Sequence, residues 1–359
     1  MRAVVFLEPG KEEVMVRDDV EVAGPGAGQV RVKIHAAGVC HSDLSATNGT
    51  IPQPAPAVLG HEASGEIVAV GEGVKSVRAG DHVVVAWTPP CGHCRACLRG
   101  QPHLCTTIFF QVAGAMPFSM GGTPAFGFAG TGTMVEETVL PEEAVVKIDD
   151  DVPFDVAALI GCGVTTGVGA VLNTAKVEPG SSVVVIGCGG VGIAAIQGAK
   201  IAGAAEVVAV DTVDSKLEDA KRFGATHATK PEGLDSLNMQ LNEGDGFDYA
   251  FECIGLPQTI RQAYDIVHRG GTAVVVGAGR AEQFIELNAF ELFFMEKTLK
   301  GSYYGSADVR VEFNRLIRLW RAGRLDLEGM ITRKMDLSRA QEAFDAMKKG
   351  EVIRQVLTF

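Results

Sequence analysis

The stretch SVVVIGCGGVGIAAIQGAK, residues 182–200, decides the fold of this chain. Its apolar run SVVVIG leads directly into the pattern G-x-G-x-x-G at residues 187–192, and a helix-like apolar segment follows. Glycines at such a junction permit a tight turn and the close approach of a dinucleotide pyrophosphate, whose charge the helix N-terminus stabilises. The stretch therefore predicts a dinucleotide-binding turn formed by Gly187, Gly189, Gly190, Val191 and Gly192.

An acidic residue supports this interpretation. Asp211 ends the next apolar run, EVVAVD, where its side chain would accept hydrogen bonds from the hydroxyls of the adenosine ribose. Thr212 and Val213 follow, and no arginine stands there to hold a 2′-phosphate. The pattern favours NAD over NADP as the coenzyme.

The character of the sequence changes near residue 163. After it, apolar runs alternate with helix-like segments, which indicates a parallel sheet covered on both faces. Before it, short strand-like runs are separated by glycine and proline, a pattern typical of an all-β barrel or sandwich. An amphipathic stretch, a second helix and the strand EVIRQVLTF close the chain. We expect two domains.

Composition and charge limit the possible function. The 359 residues are 47% hydrophobic, enough for two domains that each bury a core. With 32 basic and 44 acidic residues, the net charge of −12 opposes binding to nucleic-acid phosphates and anionic lipids. The N-terminal sequence reaches Glu8 and Pro9 before any long apolar run, so we expect no secretory signal and a cytoplasmic protein. Neither nucleic acid nor membrane is an expected partner.

The sequence CGHCRACLRGQPHLC, residues 91–105, contains four of the eight cysteines. Cytoplasmic thiols stay reduced, so metal binding is favoured over disulfides. Thiolates at Cys91, Cys94, Cys97 and Cys105 suit tetrahedral zinc and leave no open position, which would make that zinc structural. An iron–sulfur loop is less favoured because no proline follows the fourth cysteine, and a thioredoxin-like pair because the loop lies among short strands.

Three dispersed residues form a second candidate metal site. Cys40, His61 and Cys162 each lie within two residues of a glycine, at an expected strand end or turn. Each alone is most simply a buried cysteine or a hydrogen-bonded histidine, but together they supply a ligand set of catalytic zinc with one position open. Asp43 and Glu62 lie nearby in sequence, and ligand histidines commonly hydrogen-bond to a carboxylate.

Six motifs carry a resemblance to a known family: GVCHSD, GHEASGEIVAVGEGV, CGHCRACLRGQPHLC, IGCGVTTGVGA, GCGGVG and VIRQVLTF. Over essentially its full length, the chain resembles zinc-dependent medium-chain alcohol dehydrogenases, in the branch shared by liver-type and class III enzymes. The resemblance implies a two-domain α/β fold. A GroES-like β-barrel catalytic domain would cover residues 1–163, a Rossmann coenzyme domain with a doubly wound parallel sheet 164–302, and a return to the catalytic domain 303–359.

The resemblance also implies a role for individual residues. NAD and two zinc ions per chain would be the cofactors. Catalytic zinc would be held by Cys40, His61 and Cys162, with Glu62 and Asp43 behind them, and structural zinc by Cys91, Cys94, Cys97 and Cys105. Ser42 would receive the substrate proton. The coenzyme contacts would be His41 and Arg354 at the pyrophosphate, Thr166 and Val191 at the nicotinamide, and Lys216 at the ribose beside Asp211.

Several positions depart from the relatives. Ser45 stands where liver-type enzymes end their proton relay in a histidine, which leaves His41 or water as the exit. Phe109 and Ile51 replace the arginine and the acidic residue with which class III enzymes hold a glutathione adduct. The pocket positions implied by the family are Trp87, Phe109, Phe128, Ile51 and Tyr303. This apolar set favours a bulky hydrophobic alcohol, aromatic or terpenoid.

The leading hypothesis is an NAD-dependent oxidoreductase that interconverts such an alcohol with its aldehyde or ketone. The alternatives are a thiol-dependent formaldehyde dehydrogenase acting on the S-hydroxymethyl adduct and, from another class, a zinc-ribbon interaction protein without catalysis. We expect a homodimer, or a homotetramer, that pairs through the segment 284–300. Cys188 and Cys253 receive no role.

Overall fold

Two units make up the chain, and the computed structural model describes all of residues 1–359. The first unit contains residues 1–163, 308–323 and 327–359. The second contains residues 164–307 and 324–326.

The first unit consists mainly of β-strands. Its strands are β1 (Ala3–Phe6), β2 (Met15–Arg17), β3 (Val20–Val22), β4 (Gln29–Gly38), β5 (Ala57–Val58), β6 (Ala63–Val70), β7 (His82–Val85), β8 (Phe118–Met120), β9 (Thr123–Gly127), β10 (Glu137–Pro141), β11 (Val145–Lys147), β18 (Ile331–Asp336) and β19 (Arg354–Thr358). One sheet has the order β2-β1-β5-β9-β8-β3. The other has the order β11-β7-β6-β4-β19-β18, with β10 also paired to β4.

Strand β4, in the interior of the second sheet, alternates buried and more exposed side chains. In β4, Val30, Val32 and Ile34 are buried while the residues between them are more exposed, because successive side chains of a strand point to opposite faces. The helices of this unit are α1 (His41–Thr47), α2 (Arg95–Leu98), α3 (Thr107–Ala113), α4 (Phe154–Leu159), α11 (Val309–Arg321) and α12 (Ala340–Lys348). The pairing of β19 with β4 joins the end of the chain to this unit.

The second unit is a parallel sheet flanked by helices. Its strands are β12 (Ser182–Ile186), β13 (Glu206–Val210), β14 (His227–Thr229), β15 (Phe247–Glu252), β16 (Val267–Val275) and β17 (Thr298–Gly301), in the sheet order β14-β13-β12-β15-β16-β17. Its helices are α5 (Thr165–Gly169), α6 (Gly190–Ala202), α7 (Asp214–Phe223), α8 (Leu234–Asn242), α9 (Pro257–Ile266) and α10 (Ala289–Phe294). All five strand pairs are parallel, and β12 is buried throughout. This confirms two predictions, a Rossmann-type parallel sheet in one unit and a β-rich architecture in the other.

One helical stretch, Phe154–Ala175, is long and apolar enough to cross a membrane by length and composition. Inside the protein, however, 83% of its most apolar window is buried. Its apolar character therefore matches packing in a protein core.

Candidate active site and metal centres

Four buried side chains meet in the first unit: Cys40, His61, Glu62 and Cys162. Their potential ligand atoms all lie within 4.8 Å of one another. Cys40 caps the N-terminus of α1, directly after β4, and His61 lies between β5 and β6. Cys162 lies in a π-helical turn, residues 160–164, that follows α4. Strand ends and a widened helical turn thus bring three distant segments together.

Asp43 fixes the geometry of two of these residues. Its Oδ2 accepts a hydrogen bond from the backbone N–H of Cys40 at 3.1 Å, and its Oδ1 accepts one from the N–H of Gly60 at 3.0 Å. The same Oδ1 lies 3.2 Å from Nδ1 of His61. With Nδ1 donating to the carboxylate, the lone pair of the neutral imidazole, the form in which histidine binds a metal, is on Nε2. That Nε2 atom is buried without a hydrogen-bond partner.

Hydrogen bonding sets the ionisation of the cluster. The Cys162 thiol lowers the pKa of Cys40 well below its usual value, and His61 acts in the same direction. Burial alone would lower the pKa of His61, but the carboxylate of Asp43 and the sulfur of Cys40 raise it. The site therefore favours a thiolate at Cys40, the state in which cysteine binds a metal.

The donor set fits zinc. Two sulfur atoms and one imidazole nitrogen form a known catalytic zinc set, and the partnerless Nε2 of His61 is the atom that a metal would occupy. The hydrogen bond between Asp43 and Nδ1 is the arrangement that orients ligand histidines. Cys40, His61 and Cys162 would hold the ion and leave a fourth position for another ligand.

Glu62 and Arg354 form a buried ion pair beside this cluster. Burial raises the pKa of Glu62 to about 7, although Arg354 opposes the change. Gly38 makes room for the carboxylate, since a Cβ at position 38 would lie 2.6 Å from Oε1 of Glu62. The family resemblance implies a contact of Arg354 with the coenzyme pyrophosphate, and the structure places its guanidinium against Glu62.

Aromatic side chains surround His61. Phe128 lies edge-on to the imidazole with ring centroids 5.2 Å apart, and Trp87 does so at 6.2 Å. Phe109 is on α3, which packs against the turn Phe128–Gly130, and Ile51 packs against the core of the same unit. Four of the five predicted pocket residues thus lie in the first unit. Tyr303 lies in the second.

Ser42 and His41 open helix α1 next to the cluster. The Oγ of Ser42 lies 3.6 Å from Sγ of Cys40, while His41 is exposed to solvent. Ser45 lies further along the same helix, where its carbonyl accepts a hydrogen bond from Ile51. The first turn of α1 therefore leads from the buried sulfur to the surface.

The four clustered cysteines form a second compact group. The Sγ atoms of Cys91 and Cys97 are 4.0 Å apart, and those of Cys94 and Cys105 are 3.8 Å apart. Burial would raise the pKa of Cys91, but backbone N–H groups of residues 93 and 94 lower it to about 6. All eight cysteines of the chain are free thiols. Four sulfurs without an open side suit a structural zinc ion.

The glycine-rich turn joins β12 to α6 in the second unit. Gly187 has φ +95°, and a Cβ at Gly192 would collide with the carbonyl oxygen of Gly187. The carboxylate of Asp211 accepts hydrogen bonds from the N–H of Cys188 at 2.8 Å and of Val213 at 3.0 Å. The predicted ribose-binding acid is thereby held beside the predicted pyrophosphate-binding turn.

Two predicted nicotinamide contacts also come together in this unit. A Cβ at Gly167 would collide with the carbonyl oxygen of Val191, so α5 and α6 pack backbone to backbone. Thr166 precedes that glycine, and Lys216 lies in α7, which begins three residues after Asp211.

Two features could not be expected from the sequence. The first is the pairing of Glu62 with Arg354, which no local pattern signals. The second is a left-handed turn at Tyr304–Ser306, whose Ser306 hydroxyl lies 2.7 Å from that of Thr174. Only the glycine at its centre could have indicated that turn.

Comparisons with known proteins agree with this geometry. Residues 26–150 match the family model of the alcohol dehydrogenase GroES-like domain, and residues 190–321 match that of the zinc-binding dehydrogenase. The class-3 alcohol dehydrogenase of Cereibacter sphaeroides is 42% identical, over 100% of this chain and 99% of the relative. The S-(hydroxymethyl)glutathione dehydrogenase of Paracoccus denitrificans is 40% identical over the same shares.

Solved structures show the same fold. A zinc-binding-domain alcohol dehydrogenase from Burkholderia ambifaria superposes with a TM-score of 0.93 at 31% identity, covering 100% of this chain and 98% of the other. The benzyl alcohol dehydrogenase of Acinetobacter calcoaceticus superposes with a TM-score of 0.91 at 30% identity, covering 100% and 99%.

The chain belongs to the zinc-dependent medium-chain alcohol dehydrogenase family, in its class III-like branch. It is an NAD-dependent, zinc-containing alcohol dehydrogenase, and the predictions of family, fold class, enzyme class and cofactors are confirmed. The alternative of a zinc-ribbon protein without catalysis is wrong.

Proposed function

We propose that this enzyme oxidises bulky hydrophobic alcohols, benzylic alcohols in particular, and reduces the corresponding aldehydes. The observation that carries the proposal is that two aromatic side chains, Phe128 and Trp87, lie edge-on to the imidazole of His61. Ile51 and Phe109 are also apolar. Burial of an aromatic ring against such side chains is favourable. A structural relative at 30% identity is named for benzyl alcohol.

The roles of the residues follow from their positions. Zinc, when bound by Cys40, His61 and Cys162, acts as a Lewis acid that lowers the pKa of an alcohol. Ser42 lies close enough to Cys40 to accept the alcohol proton, and exposed His41 would pass it to solvent through water.

Other residues hold the coenzyme. The turn of Gly187 and Gly192 and the N-terminus of α6 would bind the pyrophosphate, and Asp211 with Lys216 would bind the ribose. Thr166 and Val191 would contact the nicotinamide, and NAD would accept the hydride from the alcohol carbon. Glu62, paired with Arg354, would tune the charge around the zinc ligands.

A substrate panel tests the proposal. We expect kcat/KM for benzyl alcohol to exceed that for ethanol by at least about tenfold, because more apolar surface is buried. Phe109→Ala should lower kcat/KM for benzyl alcohol and leave that for ethanol nearly unchanged. The matched control is Phe110→Ala, since Phe110 is the neighbouring residue and is 69% exposed. Equal losses in both variants would contradict an aromatic pocket at Phe109.

A second candidate is favoured by the named relatives. Proteins 40–42% identical to this chain are class-3 and S-(hydroxymethyl)glutathione dehydrogenases. This candidate predicts NADH formation from formaldehyde only when glutathione is present. The apolar Phe109 and Ile51 lack the charge that would pair with such an adduct.

We also propose that the enzyme forms a homodimer through the edge of its parallel sheet. Strand β17 is an outer strand, and edge strands leave unpaired backbone groups that can pair with another chain. Nearby, Phe284, Phe290 and Phe293 are 82%, 68% and 79% exposed. A second copy would cover this apolar edge.

We also place the enzyme in the cytoplasm. The free thiols of the chain suit that reducing compartment.

A further inference from the structure

Three consecutive residues of the second unit adopt left-handed backbone conformations. The φ angles of Tyr304, Gly305 and Ser306 are +51°, +63° and +50°. Glycine adopts this region freely, whereas tyrosine and serine are strained there. Strained residues persist when their surroundings hold them, and they cluster at functional sites.

The turn lies directly on the backbone of α5. A Cβ at position 305 would collide with the carbonyl oxygen of Thr165 and would lie 3.1 Å from that of Thr166. A Cβ at Gly169 would lie 2.8 Å from the Cα of Gly305. Two glycines thus allow the turn to contact the helix that carries Thr166.

A cluster of hydroxyls ties Ser302, just before the turn, and Ser306, at its end, to one residue. The Oγ1 of Thr174 lies 2.9 Å from the Oγ of Ser302 and 2.7 Å from that of Ser306. One hydroxyl can donate one hydrogen bond and accept others, so Thr174 can satisfy both serines. Thr174 is 3% exposed and Ser302 is 8% exposed. We call Thr174, Ser302 and Ser306 the hydroxyl clamp.

Two longer side chains hold the same segments. The Nζ of Lys300 donates a hydrogen bond to the carbonyl oxygen of Thr174 at 2.9 Å. The Nδ2 of Asn173 donates one to the carbonyl oxygen of Gly305 at 3.3 Å. The chain is therefore held just before the turn, at its centre and at its end.

We infer that Thr174 is a positioning residue for the nicotinamide end of the coenzyme. Its hydroxyl holds the strained turn against α5, and the turn fixes the backbone around Thr166. This inference rests on the proposed contact between Thr166 and the nicotinamide. It assigns the clamp a role in coenzyme geometry in addition to stability.

The test compares two ligands that differ in the nicotinamide. Thr174→Val keeps the side-chain shape and removes the hydroxyl. We expect it to raise the Kd of NADH by about three- to tenfold, the loss of one or two buried hydrogen bonds. The Kd of ADP-ribose, which lacks nicotinamide, should not change. Thr174→Ser retains the hydroxyl and should restore NADH binding. Both constants are measured by isothermal titration calorimetry on the zinc-loaded enzyme.

A pair of variants at Ser306 tests the strain directly. Ser306→Ala and Ser306→Gly both remove the hydroxyl, but only glycine relieves the left-handed φ. We expect NADH binding to be weakened by Ser306→Ala and to stay closer to the wild-type value in Ser306→Gly. This pair keeps the test decisive if the Thr174 variants fail to fold.

Thr226→Val is the matched control. The Oγ1 of Thr226 accepts a hydrogen bond from the backbone N–H of Val207 at 2.9 Å, at the start of β13. This variant should lower the melting temperature and leave both dissociation constants unchanged. The inference is overturned if Thr174→Val leaves NADH binding unchanged, if it weakens both ligands equally, or if the two Ser306 variants behave alike. Because no alcohol is present, these results are independent of the proposed substrate.

Discussion

At the scale of single residues, Asp43 connects three parts of the metal centre. One carboxylate receives the N–H groups of Cys40 and Gly60 and lies against Nδ1 of His61. Since Asp43 is fully buried, these partners replace the water that would otherwise solvate its charge. The residue therefore fixes the tautomer of His61 as well as the start of α1.

Asp43→Asn should weaken zinc binding at this centre by about 10- to 100-fold, because a neutral amide accepts the hydrogen bond from Nδ1 of His61 more weakly than a carboxylate does. After dialysis against a mild chelator, we expect about one zinc per chain, compared with about two in the wild type. The zinc at Cys91, Cys94, Cys97 and Cys105 serves as the internal control. Loss of both ions, or of neither, would contradict the assignment.

The ligand residues could be predicted from sequence because their chemistry depends on residue type. Cys40, His61 and Cys162 are the kinds of side chain that zinc prefers, and each lies at a turn. The partner of Arg354 could not be predicted, because β19 meets the site only through its pairing with β4. The left-handed Tyr304 was equally hidden, since tyrosine rarely adopts that conformation.

At the scale of elements, close backbone contacts set the approach of α6 to β12. Gly192, in the first turn of α6, faces the carbonyl oxygen of Gly187 with no room for a side chain. The N-terminus of α6 can therefore lie beside the turn where the pyrophosphate would bind.

Gly192→Ala should displace α6 and raise the Kd of NADH by at least about tenfold, a loss of about 1.4 kcal/mol. Calorimetric titration with NADH measures this effect. Zinc content, which depends on the first unit, should remain about two per chain. Unchanged NADH binding would show that the helix tolerates the methyl group, contrary to the geometry.

Asp248, near the start of β15, contacts residues of the neighbouring strands β12 and β16. Asp248 accepts hydrogen bonds from the N–H and hydroxyl of Ser182 at 2.7 and 2.8 Å, and lies 3.2 Å from Nε2 of His268. Burial would raise the pKa of Asp248, but these partners lower it overall. A lowered folded-state pKa stabilises the fold above the unfolded value of about 3.9, and this stabilisation is lost as pH falls through the folded value.

Asp248→Asn should therefore lower the melting temperature by a few degrees at pH 7, consistent with about 1 kcal/mol for partly exposed hydrogen bonds. The difference from wild type should persist at about pH 5 and should shrink as pH falls below about 4, where Asp248 of the unfolded chain becomes protonated before that of the folded protein. Thermal unfolding scans of both proteins at these pH values measure the difference in melting temperature. A difference that already vanishes by pH 5 would contradict the lowered pKa.

Periodicity predicted the elements well where burial is simple. The apolar runs of β12 and β13 became buried parallel strands, as their composition indicated. The π-helical turn around Cys162 and the contact of the 304–306 turn with α5 were not predictable, because both depend on packing between segments far apart in sequence.

At the scale of the whole molecule, the two units carry different chemistry. The first contains both groups of potential zinc ligands and the aromatic side chains around His61, and the second contains the proposed coenzyme residues. The domain limits, individual site residues, oligomeric state and compartment stay predictions.

Phe293→Asp should convert the proposed dimer into a monomer, because burying a carboxylate in an apolar interface is costly. Size-exclusion chromatography with light scattering gives the mass directly. Met239→Asp is a matched control, since Met239 is 63% exposed and lies on α8, away from the edge strand β17. A wild-type monomer, or a Phe293→Asp variant of unchanged mass, would contradict the proposed interface.

The most direct test of the account is the rate of NADH formation by the zinc-loaded enzyme with benzyl alcohol and with formaldehyde, each measured with and without glutathione. The account predicts turnover of benzyl alcohol that does not depend on thiol, with a kcat/KM well above that for formaldehyde under either condition. Efficient oxidation of formaldehyde only in the presence of glutathione, with slow turnover of benzyl alcohol, would contradict it.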